Sequence, residues 1–328
     1  MTYDYYQSLH NQTSCSNPVN ATVLASGFVD RCAVWSCKDK PQDKKAPDLK
    51  NEARRCYMEK AALLNNLRTE QIDCISEPAF SCLPDSAWLG ITTSFTLQTP
   101  WYSKDERPFH VMDNPVRKDR VFGVPFMSAA SWKGMLRWAC RIQKEMNKPE
   151  EVHIFGNEKD EQEDFRSGAM VFYPTWFNKV GFEVINPHSR KTKSGTKPIY
   201  YEIVPPSKDK YILNVLYAPF PGQVERDQVN PQEVLLKLID AIAVLLEKYG
   251  ISAKRTVGWG TAKIDSWSGF IKAEEKIVKN EVVLKKKNLK SFQELGETDT
   301  ELKTLFSKNN AKEFKGTMQE RFAFKGGA

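Results

Sequence analysis

The chain has 328 residues, 41% hydrophobic and 11% aromatic. This composition is that of a folded protein with one large core or two modest ones, and it excludes an intrinsically disordered chain. Lys and Arg number 48 against 41 Asp and Glu, a formal net charge of +7. Such a charge permits a polyanionic partner without requiring one, although several basic residues are clustered.

The sequence favours a cytoplasmic protein. Its start has no basic segment followed by an apolar run, so we expect no secretory signal. The longest apolar stretches, such as Ala241 to Leu246, fall far short of the ~20 residues of a membrane span. The seven Cys residues form no tight repeating pattern, which is typical of thiols in a reducing compartment.

The first predicted elements are a helix, a strand and a second helix. Residues 1–85 show little pattern apart from a helix over Asp48 to Leu67. A strand is predicted over Trp88 to Thr99, because apolar and polar residues alternate there. After a polar segment, a helix over about Ser128 to Met146 has one apolar and one basic stripe. The basic stripe contains Lys133, Arg137, Arg141 and Lys144.

Three strands are predicted next. Gly168 to Phe177 forms a strand that is broken or turned at Pro174. Lys197 to Pro206 and Tyr211 to Phe220 are predicted to pair as an antiparallel hairpin through the polar turn between them.

The most strongly marked helix begins at Asn230 and ends before Gly250. Asn230 is a capping residue and Pro231 suits the first helical position. Gly250 is a typical helix terminator, and a last strand starts at about Thr261. This order of elements contains the split βαβ arrangement of a ferredoxin-like, RRM-like α+β fold with insertions and a helical periphery. The predicted domains are an extension of unknown role (1–85), the core (86–270) and a Lys-rich C-terminal extension (271–328).

Three short stretches of the chain share one chemistry. Met112 to Asp119 sets an acidic residue among cations, and Phe122 to Ala139 leads a turn into a helix that starts with small, hydroxyl-rich residues. Lys254 to Ile264 is a cationic glycine loop. A helix start offers N–H groups to an anion, and a glycine loop lets backbone approach a phosphate. Together they indicate a nucleic-acid backbone held beside a possible cleavage residue.

These stretches resemble the motifs of the RAMP superfamily of CRISPR proteins, above all the backbone subunits of type III effector complexes. The resemblance spans roughly residues 88–270. The turn and helix are similar to a family motif, and the loop after the second helix is similar to the family's glycine-rich loop. Met112 to Asp119 resembles the Asp-x-Pro-Val stretch of the subunit that cleaves target RNA. The matching positions are Pro125, Ser131, Lys133, Gly134, Arg137, Gly258, Gly260 and, for the cleaving aspartate, Asp113.

The resemblance implies a crRNA-binding subunit that cleaves guide-paired target RNA at Asp113, with Mg²⁺ or another divalent metal. The segment from Trp101 to Arg120 would be a thumb that distorts the guide–target duplex. The implied partners are crRNA, target RNA and the other subunits of the effector complex. The expected RNA-binding residues are Ser131, Lys133, Arg137, Lys254, Arg255, Gly258, Gly260, Arg117, Lys118, His188 and Arg190.

Plainer interpretations stay open. Asp113 precedes Pro115 and could be an ordinary turn aspartate. Cations spaced by four residues are often the solvated face of a helix, and the loop with His188 and Arg190 could be simple surface. For the whole protein, one alternative is a non-catalytic crRNA-binding and assembly subunit at the end of the filament, which Ile185 to Pro206 resembles. Another is an enzyme that trims precursor crRNA.

A zinc site is a further hypothesis, since relatives often carry a zinc-bound insertion. The cysteines of the N-terminal part contain no C-x-x-C pair, so ordinary buried thiols are the competing interpretation. These residues are Cys32, Cys37, Cys56, Cys74 and Cys82.

Overall fold

A five-stranded antiparallel sheet forms the centre of the protein. The structure is a computed structural model that describes residues 32–34, 36, 49–62, 75, 77, 78, 80, 83–106, 110–158, 166–187, 191, 194, 195, 198–272 and 306–321. The strands are β1 Leu89–Leu97, β2 Phe126–Met127, β3 Met170–Phe172, β4 Thr175–Trp176, β5 Gly181–Ile185, β6 Ile199–Ile203, β7 Tyr211–Tyr217, β8 Ala262–Ile271 and β9 Phe306–Lys308. The helices are α1 Leu49–Ala62, α2 Ala129–Gln143, α3 Lys148–Phe155, α4 Gln223–Asp227, α5 Pro231–Val244 and α6 Ala311–Arg321.

The sheet has the strand order of a ferredoxin-like fold. It runs β3-β7-β1-β8-β9, and every neighbouring pair is antiparallel. The chain passes from β1 through α2 and α3 to β3, and later from β7 through α5 to β8. These are the two crossovers of the split βαβ arrangement. The predicted α+β, ferredoxin-like class is therefore confirmed.

The predicted hairpin between β6 and β7 is wrong. β6 pairs instead with β5, from Gly181 opposite Ile203 to Ile185 opposite Ile199. β7 lies inside the main sheet, where β1 and β3 already occupy its two edges. Six of its seven residues are buried, as expected for a strand covered on both faces. A short polar turn could not distinguish these two pairings.

Two helices and the sheet enclose the main core. α2 buries Trp132, Leu136, Ala139 and Cys140, the apolar stripe seen in the sequence. α5 starts as predicted, with the Asn230 side chain accepting a hydrogen bond from Gln232 N and Pro231 at its first position. It continues as a π-helical turn, Leu245–Tyr249, before Gly250. The strand predicted across Pro174 is divided into β3 and β4, so that break is confirmed.

The described part of the C-terminal extension packs on this core. β9 pairs with β8, and α6 packs against β8 and α5. Phe314 and Met318 are fully buried, and the Phe314 ring stacks on Trp267 with centroids 5.5 Å apart. These contacts add a fifth strand to the sheet, while the division into three domains stays a prediction. No helix in the described ranges has the length and apolarity needed to cross a membrane.

Candidate nucleic-acid interface

The predicted thumb, Trp101 to Arg120, is an antiparallel excursion that rests on β6. Its two sides are joined by hydrogen bonds from Asp105 N to Pro115 O (3.0 Å) and from Arg117 N to Ser103 O (2.7 Å). The Trp101 and Val204 backbones exchange hydrogen bonds of 2.9 Å in both directions. The described backbone of the segment is thus fixed at its base and along its length.

Asp113 lies at the surface and is held by two cations of α1. Arg54 Nη2 is 2.9 Å from Asp113 Oδ2, and Lys50 Nζ is 3.2 Å from Oδ1. The Arg54 side chain is only 7% exposed and its guanidinium lies 4.7 Å from the Tyr200 ring centroid, so it is well fixed. The Asp113 side chain keeps 43% of its surface exposed. The carboxylate is therefore accessible, but its charge is already compensated.

The surroundings of Asp113 do not fit a divalent metal ion. Mg²⁺ and Ca²⁺ bind oxygen ligands and favour several carboxylates or carbonyls. The polar contacts seen for Asp113 are instead the two cationic side chains Lys50 and Arg54. Among the residues that the structure describes, no group of three or more His, Cys, Asp or Glu side chains could hold a metal. The predicted metal and zinc sites stay predictions, and no step is derived through a metal.

Lys118 is buried in the interior of the same excursion. Its Nζ donates to Glu202 Oε1 and to Tyr57 Oη, and the Lys118 and Glu202 side chains are both 0% exposed. Burial alone would raise the pKa of Glu202, but the charge of Lys118 and hydrogen bonds from Lys118 and Tyr57 hold that pKa below its usual value. An ammonium group in this position cannot reach a ligand. RNA binding by Lys118 stays a prediction, and the buried ion pair does not support it.

The start of α2 is capped by its own side chains. Ser128 accepts a hydrogen bond from Ser131 N at 3.2 Å, and the two hydroxyl groups are 2.9 Å apart. One turn on, Lys133 is half-buried; burial and then the charge of Arg137 lower its pKa. Ser131 and Lys133 therefore both lie near the beginning of α2.

The Arg137 side chain is largely buried and makes its contacts within the protein. Its Nη2 donates to Gly156 O at 2.6 Å, at the end of α3, where a cation is favourable. Its Nε lies 3.6 Å from Glu151, its guanidinium is 5.4 Å from the Phe155 ring centroid, and its side chain is 15% exposed. These contacts make Arg137 a link between α2 and α3, and they occupy its guanidinium group inside the protein.

The two glycines of the cationic loop have different reasons to be glycine. Both have left-handed φ angles, +83° at Gly258 and +86° at Gly260. A Cβ on Gly260 would lie 2.3 Å from Ser252 N, so Gly260 lets the loop pack on itself. A Cβ on Gly258 would meet nothing within 4 Å. Of the two, only Gly258 presents open backbone to a possible ligand.

The residues just before the cationic loop are tied to the base of the thumb, and the loop itself contacts α2. Ala253 N donates to Tyr102 O at 2.8 Å, and Trp101 Nε1 donates to Ile251 O at 2.9 Å. The Arg255 guanidinium lies 4.0 Å from the centroid of the Trp138 indole on α2. The Arg255–Trp138 contact joins the cationic loop to the stretch from Phe122 to Ala139. Hydrogen bonds from Asp119 N to Val124 O (2.8 Å) and from Phe126 N to Arg117 O (3.3 Å) join that stretch to Met112 to Asp119, its neighbour along the chain. Contacts thus connect all three stretches that the sequence singled out. We call them together the motif cluster.

A family model decides the relationship of this chain to known proteins. The model of the RAMP superfamily matches residues 94–263, just over half of the chain and all three motifs from Asp113 to Gly260. The chain belongs to the RAMP superfamily. A comparison with curated proteins gives no match.

Similar chains to this RAMP protein occur among solved structures. One is in a type III-B Cmr-beta complex bound to cognate target RNA, with 19% identity, a TM-score of 0.48, and coverage of 74% of this chain and 82% of that chain. Another is in a Csm3–Csm4 subcomplex of a type III-A CRISPR-Cas interference complex, with 16% identity and a TM-score of 0.42. That match covers 75% of this chain and 100% of that chain. A third is in a CRISPR RNA-guided surveillance complex, with 14% identity and a TM-score of 0.42. That match covers 58% of this chain and 71% of that chain. Similarity this distant carries no conclusion about what the present RAMP protein binds.

Two further residues predicted for this RAMP protein are cations that lie beside aromatic rings. Lys254 is half-buried, with its Nζ 4.9 Å from the Tyr201 ring centroid, and Arg117 is exposed beside Phe126. His188 and Arg190 lie outside the described residues.

Sequence reasoning missed two groups of residues around the motif cluster. Lys50 and Arg54, which pair with Asp113, come from the extension to which no role was assigned. Phe126 and Trp176 form an aromatic pair between two-residue strands, too short to show any periodicity. The cation-rich face of α1 was a visible signal for the first group; the second had none.

Proposed function

We propose that this RAMP protein is a crRNA-binding backbone subunit of a type III CRISPR effector complex. The observation that carries the proposal is the motif cluster, in which contacts join three separate cationic stretches that match the family. Arg117, Lys133, Lys254 and Arg255 are four of the cations of this cluster that are exposed or half-buried. They would bind ribose-phosphate backbone, while sequence would be read by pairing between guide and target.

Binding through phosphate contacts predicts a steep dependence on salt. We expect the affinity for single-stranded RNA, measured by fluorescence anisotropy on the protein alone or in its reconstituted complex, to fall about 10-fold or more between 50 and 200 mM salt. Lys133→Gln and Lys254→Gln should each weaken binding and reduce the salt dependence. Lys312→Gln, on the exposed face of α6, is the matched control and should change neither. Salt-independent binding would contradict the proposal.

The finer proposal is that the subunit cleaves the paired target RNA at Asp113. The exposed carboxylate would accept the proton of a 2′-hydroxyl whose oxygen attacks the adjacent phosphorus. The bond to the 5′-oxygen then breaks and that oxygen takes up a proton from water, which leaves a 2′,3′-cyclic phosphate and a 5′-hydroxyl. A distorted duplex brings the 2′-oxygen into line more easily than a regular A-form helix. Metal dependence is tested by chelation in the same assay.

Removing the Asp113 carboxylate distinguishes a subunit that cleaves target RNA from a non-catalytic assembly subunit. In the reconstituted complex, Asp113→Ala should abolish a cut in the guide-paired target and leave RNA affinity and assembly unchanged. Glu106→Gln, an exposed acid on the same segment, is the matched control. Unchanged cutting by Asp113→Ala would favour the assembly subunit. The ion pairs of Asp113 with Arg54 and Lys50 support that alternative, because they give the carboxylate a structural role.

A further inference from the structure

We propose that Trp176 and Phe126 form a stacking platform for an unpaired base of single-stranded RNA, with Arg117 neutralising a phosphate of the same strand. This inference rests on the proposed function and adds to it a base-contacting site centred on Trp176, which lies outside the three motif stretches. Neither aromatic residue was among those predicted to touch RNA.

The platform is one face of a small three-stranded ladder. Phe126 and Trp176 are directly opposite in the β2–β4 pair, with ring centroids 5.1 Å apart and planes inclined by 30°. Phe126 N donates to Arg117 O at 3.3 Å, so the thumb backbone lines the other edge of β2. The Arg117 guanidinium lies 5.4 Å from the Phe126 ring centroid. Because Phe126 is on the middle strand, Arg117 and Trp176 approach it from opposite sides.

The opposite face of the ladder is buried, which fixes the orientation of the aromatic pair. Met127 and Thr175 point into the core, and the hydroxyl group of Thr175 accepts a hydrogen bond from Trp132 Nε1 at 3.0 Å and donates to Ile212 O at 2.6 Å. Since side chains alternate along a strand, Phe126 and Trp176 are directed away from that core. Both are only half-buried. The row Arg117–Phe126–Trp176 is a stack that another planar group can extend at Trp176.

The charges around the ladder favour RNA as the occupant over a protein surface. Arg117 and Arg120 are both exposed. Asp119 lies between them in the chain, and its carboxylate accepts hydrogen bonds from Val121 N (2.8 Å) and Phe122 N (2.9 Å). This carboxylate is thus engaged by the turn and not by the two arginines. The ladder also leads directly into the start of α2, beside Ser131 and Lys133. Aromatic faces combined with backbone-binding cations are the recurring device for holding single strands without sequence preference.

The experiment compares a strand with bases to a strand without them. The probes are a labelled oligouridine of about ten nucleotides and an abasic ribose-phosphate strand of equal length, bound to the full chain or its reconstituted complex. Trp176→Leu keeps the apolar bulk and removes the aromatic face. It should weaken oligouridine binding about tenfold and leave abasic binding unchanged, because base–aromatic stacking contributes an effect of this order. Trp176→Phe should lie close to wild type.

Two controls separate stacking from charge and from general surface effects. Arg117→Gln should weaken binding of both strands. Phe220→Leu should not weaken the binding of either strand. Phe220 is an aromatic residue that is 62% exposed, and it follows the end of β7. The platform strand β4 contacts the opposite end of β7, at Ile212, so Phe220 is remote from the platform. Phe126→Leu is a second variant that reports on the platform if Trp176→Leu lowers the melting temperature.

The possible results distinguish the two proposals. Equal effects of Trp176→Leu on both strands, or none on either, would overturn the platform; with steep salt dependence retained, the proposed function would stand. Loss of binding to companion subunits at unchanged RNA affinity would mean that the face contacts protein, which also overturns the platform. A wild-type protein that binds neither strand, alone or in its complex, would remove both proposals.

Discussion

At the scale of single residues, burial decides which cations of the motif cluster can meet a ligand. Lys118 and Arg117 are one residue apart, yet one ammonium is 0% exposed against Glu202 and the neighbouring guanidinium faces outward. The sequence showed only a run of charges from Arg117 to Arg120. Alternation along the strand-like thumb backbone turns Lys118 inward and Arg117 outward, and Arg120, in the turn that follows, is exposed. A structural ion pair and a candidate phosphate contact are therefore chain neighbours.

The buried pair gives a prediction about stability. Glu202→Gln removes the charge that compensates Lys118 in a site without solvent, and we expect the free energy of unfolding to fall by about 3–5 kcal/mol. Urea denaturation monitored by circular dichroism measures this loss. The double variant Lys118→Met with Glu202→Gln leaves no charge unpaired, keeps an acceptor for the hydrogen bond from Val116 N, and should recover most of it. A double variant no more stable than the single one would contradict this account.

The two glycines of the cationic loop give a second, matched comparison. Gly260→Ala adds a methyl group 2.3 Å from Ser252 N as well as an unfavourable φ, whereas Gly258→Ala adds only the unfavourable φ. We expect Gly258→Ala to cost about 1–2 kcal/mol, the strain of a left-handed alanine. Gly260→Ala should cost clearly more, because backbone must move. Thermal denaturation of both variants tests the order, and equal losses would contradict it.

At the scale of elements, the long patterned segments could be predicted and the short ones could not. β1, α2 and α5 follow their periodicity and caps, since each buries a continuous face. β2 and β4 have two residues each, too few for any pattern, and they carry the proposed platform. β6 and β7 are both apolar strands, and local sequence does not encode which partner each will choose.

The helix α6 contributes buried side chains to the main core, although its sequence shows only a weak alternation of apolar and polar residues. Phe314→Ala should lower the free energy of unfolding by about 3–5 kcal/mol, because its fully buried ring stacks on Trp267 in the main core. Thr317→Ala, half-buried on the same helix, should cost less than ~1 kcal/mol. Chemical denaturation of both variants is the measurement. A negligible effect of Phe314→Ala would show that α6 does not belong to the cooperative core.

At the scale of the whole molecule, one buried histidine joins three elements. His153 of α3 is 2.8 Å from Asp227 of α4 through Nδ1 and 2.9 Å from the Tyr217 hydroxyl of β7 through Nε2. Burial lowers the pKa of His153 although Asp227 opposes it. The unfolded chain therefore takes up a proton at this residue at higher pH than the native protein does. Stability should decline as the pH falls below about 6.5, the ordinary histidine value.

This dependence can be measured as the melting temperature between pH 7.5 and 5.5. The wild-type protein should lose stability over that range, and His153→Gln should be less stable at pH 7.5 but less sensitive to acid. The loss at pH 7.5 should be about 1–3 kcal/mol, because Asp227 and Tyr217 lose a buried partner. Parallel pH profiles for the two proteins would assign the acid sensitivity to other groups.

The candidate site shows the same limit of sequence reasoning as the fold. The motifs identified the superfamily and named Asp113, Ser131, Lys133 and Gly258 at surface or half-buried positions. What they lacked was the set of contacts made across the chain: Arg54 against Asp113, Trp176 against Phe126. Such contacts depend on how distant segments pack, which no local pattern records.

The place of β9 at the edge of the sheet has a consequence for the handling of this protein. β8 is ten residues long, and β9 hydrogen-bonds its outer side over Trp267 to Gly269. A fragment ending before residue 306 would leave these amide and carbonyl groups open, a template on which another copy can add a strand. Shortened versions designed for expression would then self-associate and precipitate, for a reason unrelated to RNA.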